Sequence, residues 1–386
     1  MLAAVFFWLS LLAIFYAYAG YPALMWLVSR SGRVGYNGRV VQEDASLPIV
    51  SLIISVYNEE KVIRSKLENA LSLDYPAELL EIVIVSDGST DRTCQIVEEY
   101  AQKGVVLRSY QGRRGKTACL NAAVPMAAGQ IVVFSDANSV YTKSALKALS
   151  RPFDDPSVGF VTGWTKYGTT GESSSIDSVG IYTKIELITK EGESRLASCI
   201  GADGAIFAIR KELYRPLADY DINDFVIPLS INQQGHRGVL QRDALCIESD
   251  AGGARGEYQR QVRITCRTIR AIVNYRRLLN PFTYGWLSFE LVSHKICKFM
   301  VPLFMATLLL SNALLAARGG LYLAALFGQG VFYVVASMGL SIPKSRTLSR
   351  LPQAIRTFVV VNAAVAVGWV KFFQGETYTT WSPTKR

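Results

Sequence analysis

Residues Met1 to Ser29 carry no charged side chain. At ~1.5 Å of rise per residue, a run of that length crosses the ~30 Å hydrocarbon core of a bilayer as one helix. It is too long for the apolar part of a signal peptide, has no basic segment before it and offers no small-residue cleavage site, so it reads as a membrane anchor. Two more uncharged runs, Phe299 to Ala317 and Gly319 to Pro343, lie towards the end. A third, Thr357 to Val370, is short. It spans if Lys371 snorkels, or it lies in the interface.

Basic residues flank the central region. Arg30, Arg33 and Arg39 follow the first run, and Arg267, Arg270, Arg276, Arg277, Lys295 and Lys298 precede the second. Positive charge on both flanks predicts a cytoplasmic central region. It also accounts for the net charge of +10 without nucleic acid, for which no motif is present. The six cysteines form no C-x-x-C pair and the two histidines are far apart, which argues against zinc and for reduced thiols.

The central region reads as α/β. Residues 49–56 (Ile-Val-Ser-Leu-Ile-Ile-Ser-Val) are apolar and β-branched, as in a strand buried on both faces. Further strands are predicted at Leu80 to Val85, Val105 to Arg108 and Ile131 to Ser135, with helices after Asn58, after Ser89 and from Thr117. This alternation is doubly wound, and ligands in such sheets sit at the carboxyl ends of the strands. Three of those ends carry acids or amides: Asn58 with Glu59, Asp87, and Asp136 with Asn138. One such group would be an ordinary turn residue; three on one edge point to a site.

The stretches Ser55-Val-Tyr-Asn-Glu-Glu60, Val85-Ser-Asp-Gly-Ser-Thr-Asp91 and Arg114-Gly-Lys-Thr-Ala-Cys-Leu-Asn121 resemble the inverting family 2 glycosyltransferases of GT-A fold. The resemblance covers residues 49–270 and continues through Ser293-His-Lys295 and Trp381-Ser-Pro-Thr-Lys-Arg386. It implies an α/β, Rossmann-like, mostly parallel sheet with helices on both faces, joined to transmembrane helices. The domains expected are a transmembrane helix at 1–29, a linker at 30–48, a cytosolic GT-A domain at 49–265, amphipathic interface helices at 266–298, a transmembrane region at 299–374 and a tail at 375–386.

The same resemblance implies the site. Tyr57, Asn58, Glu59 and Asp87 would hold the nucleotide of a sugar donor, expected to be UDP-linked, and Lys116 its diphosphate. Gly115-Lys116-Thr117 is not a Walker loop, because Tyr110 stands where that motif needs glycine. Asp136-Ala-Asn138 replaces Asp-x-Asp and would hold Mg²⁺ or Mn²⁺, hard cations that take oxygen ligands. Asp203 would touch the acceptor or shape a turn. Asn223-Asp224 replaces a Glu-Asp pair, making Asp224 the general base, with Asp219 and Asp221 as close alternatives. Arg260-Gln261-Val262-Arg263-Ile264 lies where polymerising members carry Gln-x-x-Arg-Trp. Arg260 and Gln261 would serve the acceptor and Arg263 the diphosphate. Arg260 to Arg277 also reads as a basic amphipathic helix on anionic lipid.

The implied activity is sugar transfer to a saccharide or lipid-linked acceptor at a bacterial inner or plasma membrane, for cell-surface polysaccharide. Anchors on both sides favour a polymer synthase, with Asn312, Tyr322, Gln329, Tyr333 and Asn362 as candidate channel lining. Ile264 in place of Trp favours a single addition. The alternative of another class is a membrane export component with a regulatory nucleotide domain.

Overall fold

A computed structural model describes residues 1–30, 47–168, 180–248, 254–338 and 350–379. The terminal motif from Trp381, and Arg33 and Arg39 of the linker, lie outside them. The strands are β1 (Val50–Val56), β2 (Leu80–Ser86), β3 (Val105–Ser109), β4 (Ile131–Asp136), β5 (Val140–Tyr141), β6 (Val158–Tyr167), β7 (Ile206–Arg210) and β8 (Arg237–Glu248). The helices begin with α1 (Leu2–Phe15), α2 (Tyr21–Arg30), α3 (Ile63–Leu71), α4 (Thr93–Glu98), α5 (Lys116–Ala123), α6 (Ala145–Ser150) and α7 (Ile181–Leu196). They continue with α8 (Asn223–Gln233), α9 (Ala254–Asn274), α10 (Pro281–Tyr284), α11 (Trp286–Leu291), α12 (Cys297–Leu315), α13 (Gly320–Met338) and α14 (Arg350–Phe373).

The chain forms two compact units, each made of interleaved segments. One comprises Met1–Ala23, Gly252–Arg270 and Phe289–Thr377; the other comprises Leu24–Ala251, Ala271–Ser288 and Tyr378–Arg386.

The second unit holds one sheet in the order β3-β2-β1-β4-β7-β6-β8-β5. Strands β3, β2, β1 and β4 are parallel, and β1 is buried at every position, as its unbroken apolar run predicts. The far half is mixed: β7 runs antiparallel to both β4 and β6, β8 is parallel to β6, and β5 antiparallel to β8. The core joins β1, β2 and β4 to Ile63, Leu67 and Ala70 of α3 and to Leu146 and Leu149 of α6. This topology brings the ends of β1, β2 and β4 side by side.

The first unit is helical. Among the described residues, four helices are long and apolar enough to cross a membrane: Leu2–Arg30, Trp286–Arg318, Gly320–Met338 and Leu351–Phe373. The last contains the short run at 357–370, lengthened at both ends through residues such as Arg356 and Lys371. Helix α9 runs unbroken through the boundary expected at 265/266. It docks on α14, where Gly368 lets Thr265 approach: a Cβ at 368 would stand 2.7 Å from Thr265.

Polar groups in this unit pair between helices. Asn312 meets Gln329 at 2.7 Å, Asn362 meets Tyr18 at 3.1 Å, and Tyr16 meets Ser293 at 2.8 Å. Trp369 donates to the Phe299 carbonyl at 2.9 Å, which sets the carboxyl end of α14 beside the amino end of α12.

Candidate active site

The carboxyl ends of β1 and β2 continue into two interlocked turns. Asn58 adopts φ of 53°, donates from its backbone to Ser89 Oγ at 3.1 Å, and accepts from Thr90 N at 2.8 Å. The backbone of Glu59 donates to Thr93 Oγ1 at 2.9 Å, and that of Glu60 to Asp91 at 3.2 Å. Asn58 therefore shapes the rim through its own amide. Tyr57, beside it, lies under Arg113, whose guanidinium is 3.8 Å from the ring centre. A guanidinium over a ring face is a surface against which a nucleotide base can pack.

Asp87 is 1% exposed, and its carboxylate is bonded to the backbone of the loop that follows β3. It accepts from Arg114 N at 2.7 Å and from Gly115 N at 3.0 and 3.1 Å, with Arg113 Nε at 3.9 Å. Burial and this carboxylate push the Cys119 thiol up to about 12, so it stays protonated and donates to Asp87. The geometry makes Asp87 the anchor of the 112–116 loop. Two glycines permit that packing. A Cβ on Gly88 would stand 2.7 Å from the Gly112 carbonyl, and Gly115 holds φ of +91°.

Helix α5 then gathers the remaining parts. Gly115, its N-cap, donates to Asp87. Lys116 Nζ meets Asp136 Oδ1 at 2.6 Å, both side chains partly exposed. Thr117 donates to the Asp221 carbonyl at 2.9 Å, three residues before Asp224. One turn further, Asn121 bonds Tyr214 and Leu217 at 2.8 Å, fixing the approach to α8. Asp224, partly buried in the first turn of α8, lies against Gly204, where a Cβ would stand 2.7 Å from Asp224 Oδ2. Asp203, next to that glycine, accepts from Ala205 N at 3.1 Å, an Asx-type turn at the start of β7. The Thr379 carbonyl also packs on Gly115, 2.3 Å from where a Cβ would be.

Arg260, Gln261 and Arg263 stand on α9, in the helical unit. Arg260 and Gln261 both bond Glu257 of the same helix, at 3.2 and 2.8 Å. Thr117 falls within the Arg114–Asn121 motif and Arg113 just before it, and their contacts across the fold leave no signal in that local sequence.

The oxygen donors present fit a hard divalent cation of limited protein ligation. Asp136 is partly exposed at the end of β4, with the Asn138 amide two residues on. No cluster of three ligating acidic, histidine or cysteine side chains occurs among the described residues. The rest of an octahedral shell would come from phosphate and water.

Residues 51–215 match Glycosyl transferase family 2. The chain is 34% identical over 120 residues to a β-monoglucosyldiacylglycerol synthase of Nostoc, covering 30% of this chain and 26% of the relative. It is 28% identical over 179 residues to a poly-β-1,6-N-acetyl-D-glucosamine synthase of Staphylococcus epidermidis, covering 45% and 42%. These matches span less than half of either relative. The fold resembles the mannosyltransferase PcManGT of Pyrobaculum calidifontis, solved with GDP-Man and Mn²⁺, with a TM-score of 0.73 and 24% identity, over 97% of this chain and 100% of that one.

Proposed function

On the match of residues 51–215 to Glycosyl transferase family 2, we propose that this chain moves a sugar, with inversion, from a nucleoside-diphosphate sugar to a saccharide or lipid-linked acceptor at a membrane. The observation that carries this reading is the start of α5. Three successive residues there tie the Asp87 loop, the end of β4 and the approach to Asp224 to one helix start.

Tyr57 and Arg113 hold the base edge. Lys116 turns from Asp136 to the diphosphate, helped by backbone N–H groups at the helix start. Asp136 and Asn138 would hold a divalent cation, which when bound neutralises the leaving diphosphate. Asp224 takes the proton of the acceptor hydroxyl as its oxygen bonds to the anomeric carbon and the bond to phosphate breaks. The motif resemblance supports a UDP-linked donor, and the basic flanks of the apolar helices support a cytoplasmic catalytic domain.

Within this reading, a single addition is favoured over polymer synthesis. Asn312, Gln329 and Asn362, the amides best suited to line a conduit, are engaged in helix-to-helix hydrogen bonds. Purified protein is tested against UDP- and GDP-sugars with lipid and oligosaccharide acceptors, and products are sized by mass spectrometry. One donor should release nucleoside diphosphate with one acceptor, which gains a single sugar mass. No turnover with any pair would overturn the transfer reading. A ladder of products would overturn single addition.

A further inference from the structure

Helix α3 presents Ile63, Lys66, Leu67 and Ala70 to the core, so a lysine occupies an apolar-face position. Lys66 is 2% exposed. Its ammonium donates to Ser135 Oγ at 2.7 Å and to the Ser139 carbonyl, and stands 4.2 Å from the ring centre of Tyr141. Those two oxygens bracket the turn Asp136-Ala137-Asn138. The neighbouring contacts brace the same turn. Asn69 accepts from Tyr141 N at 2.8 Å and donates to its carbonyl at 2.9 Å. The Tyr141 hydroxyl meets the Phe134 and Ala205 carbonyls at 3.1 and 2.9 Å. Ser139 Oγ donates to Glu248.

Burial lowers the Lys66 pKa to about 8, against the pull of Cys246, Asp136 and Glu248. A methionine would fill the same space without desolvating a charge. What the ammonium adds is a pair of directed bonds to the two ends of one turn.

We propose that Lys66 is a positioning residue for the diphosphate-and-metal end of the donor site, clamping residues 135 and 139 so that Asp136 and Asn138 keep the spacing a shared cation requires. This rests on the transferase reading above. Lys66 touches neither donor nor cation; it acts through the turn, as outer-sphere partners of metal ligands do.

The test uses the full-length protein in detergent, titrated calorimetrically with UDP and with GDP, each with and without MnCl₂, alongside thermal unfolding. Lys66→Met should lose roughly ten- to a hundredfold of the Mn²⁺-assisted affinity. Metal-free nucleotide binding and acceptor KM should stay at wild-type values while donor KM rises. Ser135→Ala should show a smaller loss of the same kind. A folded Lys66→Met with wild-type Mn²⁺-assisted affinity, or one in which every parameter falls together, overturns the proposal. If Lys66→Met does not fold, Ser135→Ala decides: a selective loss supports the clamp, and wild-type binding overturns it. Wild-type protein that binds neither nucleotide would instead overturn the transfer reading on which this one stands.

Discussion

Replacing Asp87 with Asn keeps the shape and removes the charge, which separates an anchor of the 112–116 loop from a simple ligand contact. The carboxylate now accepts from Arg114 N at 2.7 Å and from Gly115 N at 3.0 and 3.1 Å. In Asp87→Asn, one oxygen can keep two of these as neutral bonds, while the other position becomes an N–H facing an N–H. A hydrogen bond to a charged group is worth ~1.5–3 kcal/mol and a neutral one ~0.5–1.5, so the loop loses about 2–4 kcal/mol of its hold. For a unit of this size that corresponds to a fall in Tm of about 4–16 °C. Differential scanning fluorimetry with and without nucleotide is the assay, and donor KM should rise because Lys116 sits on the loosened loop. A Tm and nucleotide affinity both at wild-type values would refute the anchoring argument. An unchanged Tm with lost nucleotide binding would make Asp87 a ligand contact alone.

Other expectations follow from the same geometry. Asp224→Asn should abolish transfer while nucleoside-diphosphate affinity stays within about twofold, since the base acts on the acceptor proton; calorimetry beside a transfer assay checks it, and equal loss of binding would mean the base is misassigned. EDTA should stop turnover and added Mn²⁺ or Mg²⁺ restore it; full activity in EDTA would remove the cation role of Asp136 and Asn138. The carboxyl tail should lie on the same side of the membrane as the catalytic domain, because Thr379 packs on Gly115. Cysteine labelling of a Thr379→Cys variant in oriented vesicles checks this, and labelling from the opposite side would contradict it.

The parallel half of the sheet is legible because strands buried on both faces read as unbroken apolar runs, and β1 is buried at all seven positions. The other half is hidden by its own packing. Strand β6 is buried at nine of ten positions, yet Gly and Thr interrupt its apolar run. Those residues answer distant parts of the chain: a Cβ on Gly163 would stand 2.3 Å from the Ala244 carbonyl. A close approach across 81 residues leaves no local periodicity. In the site, the acidic strand ends could be found from sequence because turns and sites favour the same residues. The way they are joined could not. Thr117 reaches Asp221 across 104 positions, and only the folded chain brings them together. Lys66 was discoverable in principle, being the one charged residue among the four buried positions of α3. Lysine on a helix ordinarily signals solvent, and that expectation masks it.

The central claim is that Lys116 and Asp136, now paired at 2.6 Å, flank the place where a donor's diphosphate and its cation sit. A cryo-EM map of the full-length protein with nucleoside diphosphate and Mn²⁺ tests it most directly. The expected result is a Lys116 side chain moved from Asp136 onto phosphate oxygen, with metal density between the diphosphate and Asp136. Well-ordered nucleotide bound elsewhere, with the Lys116–Asp136 pair intact, would contradict the account.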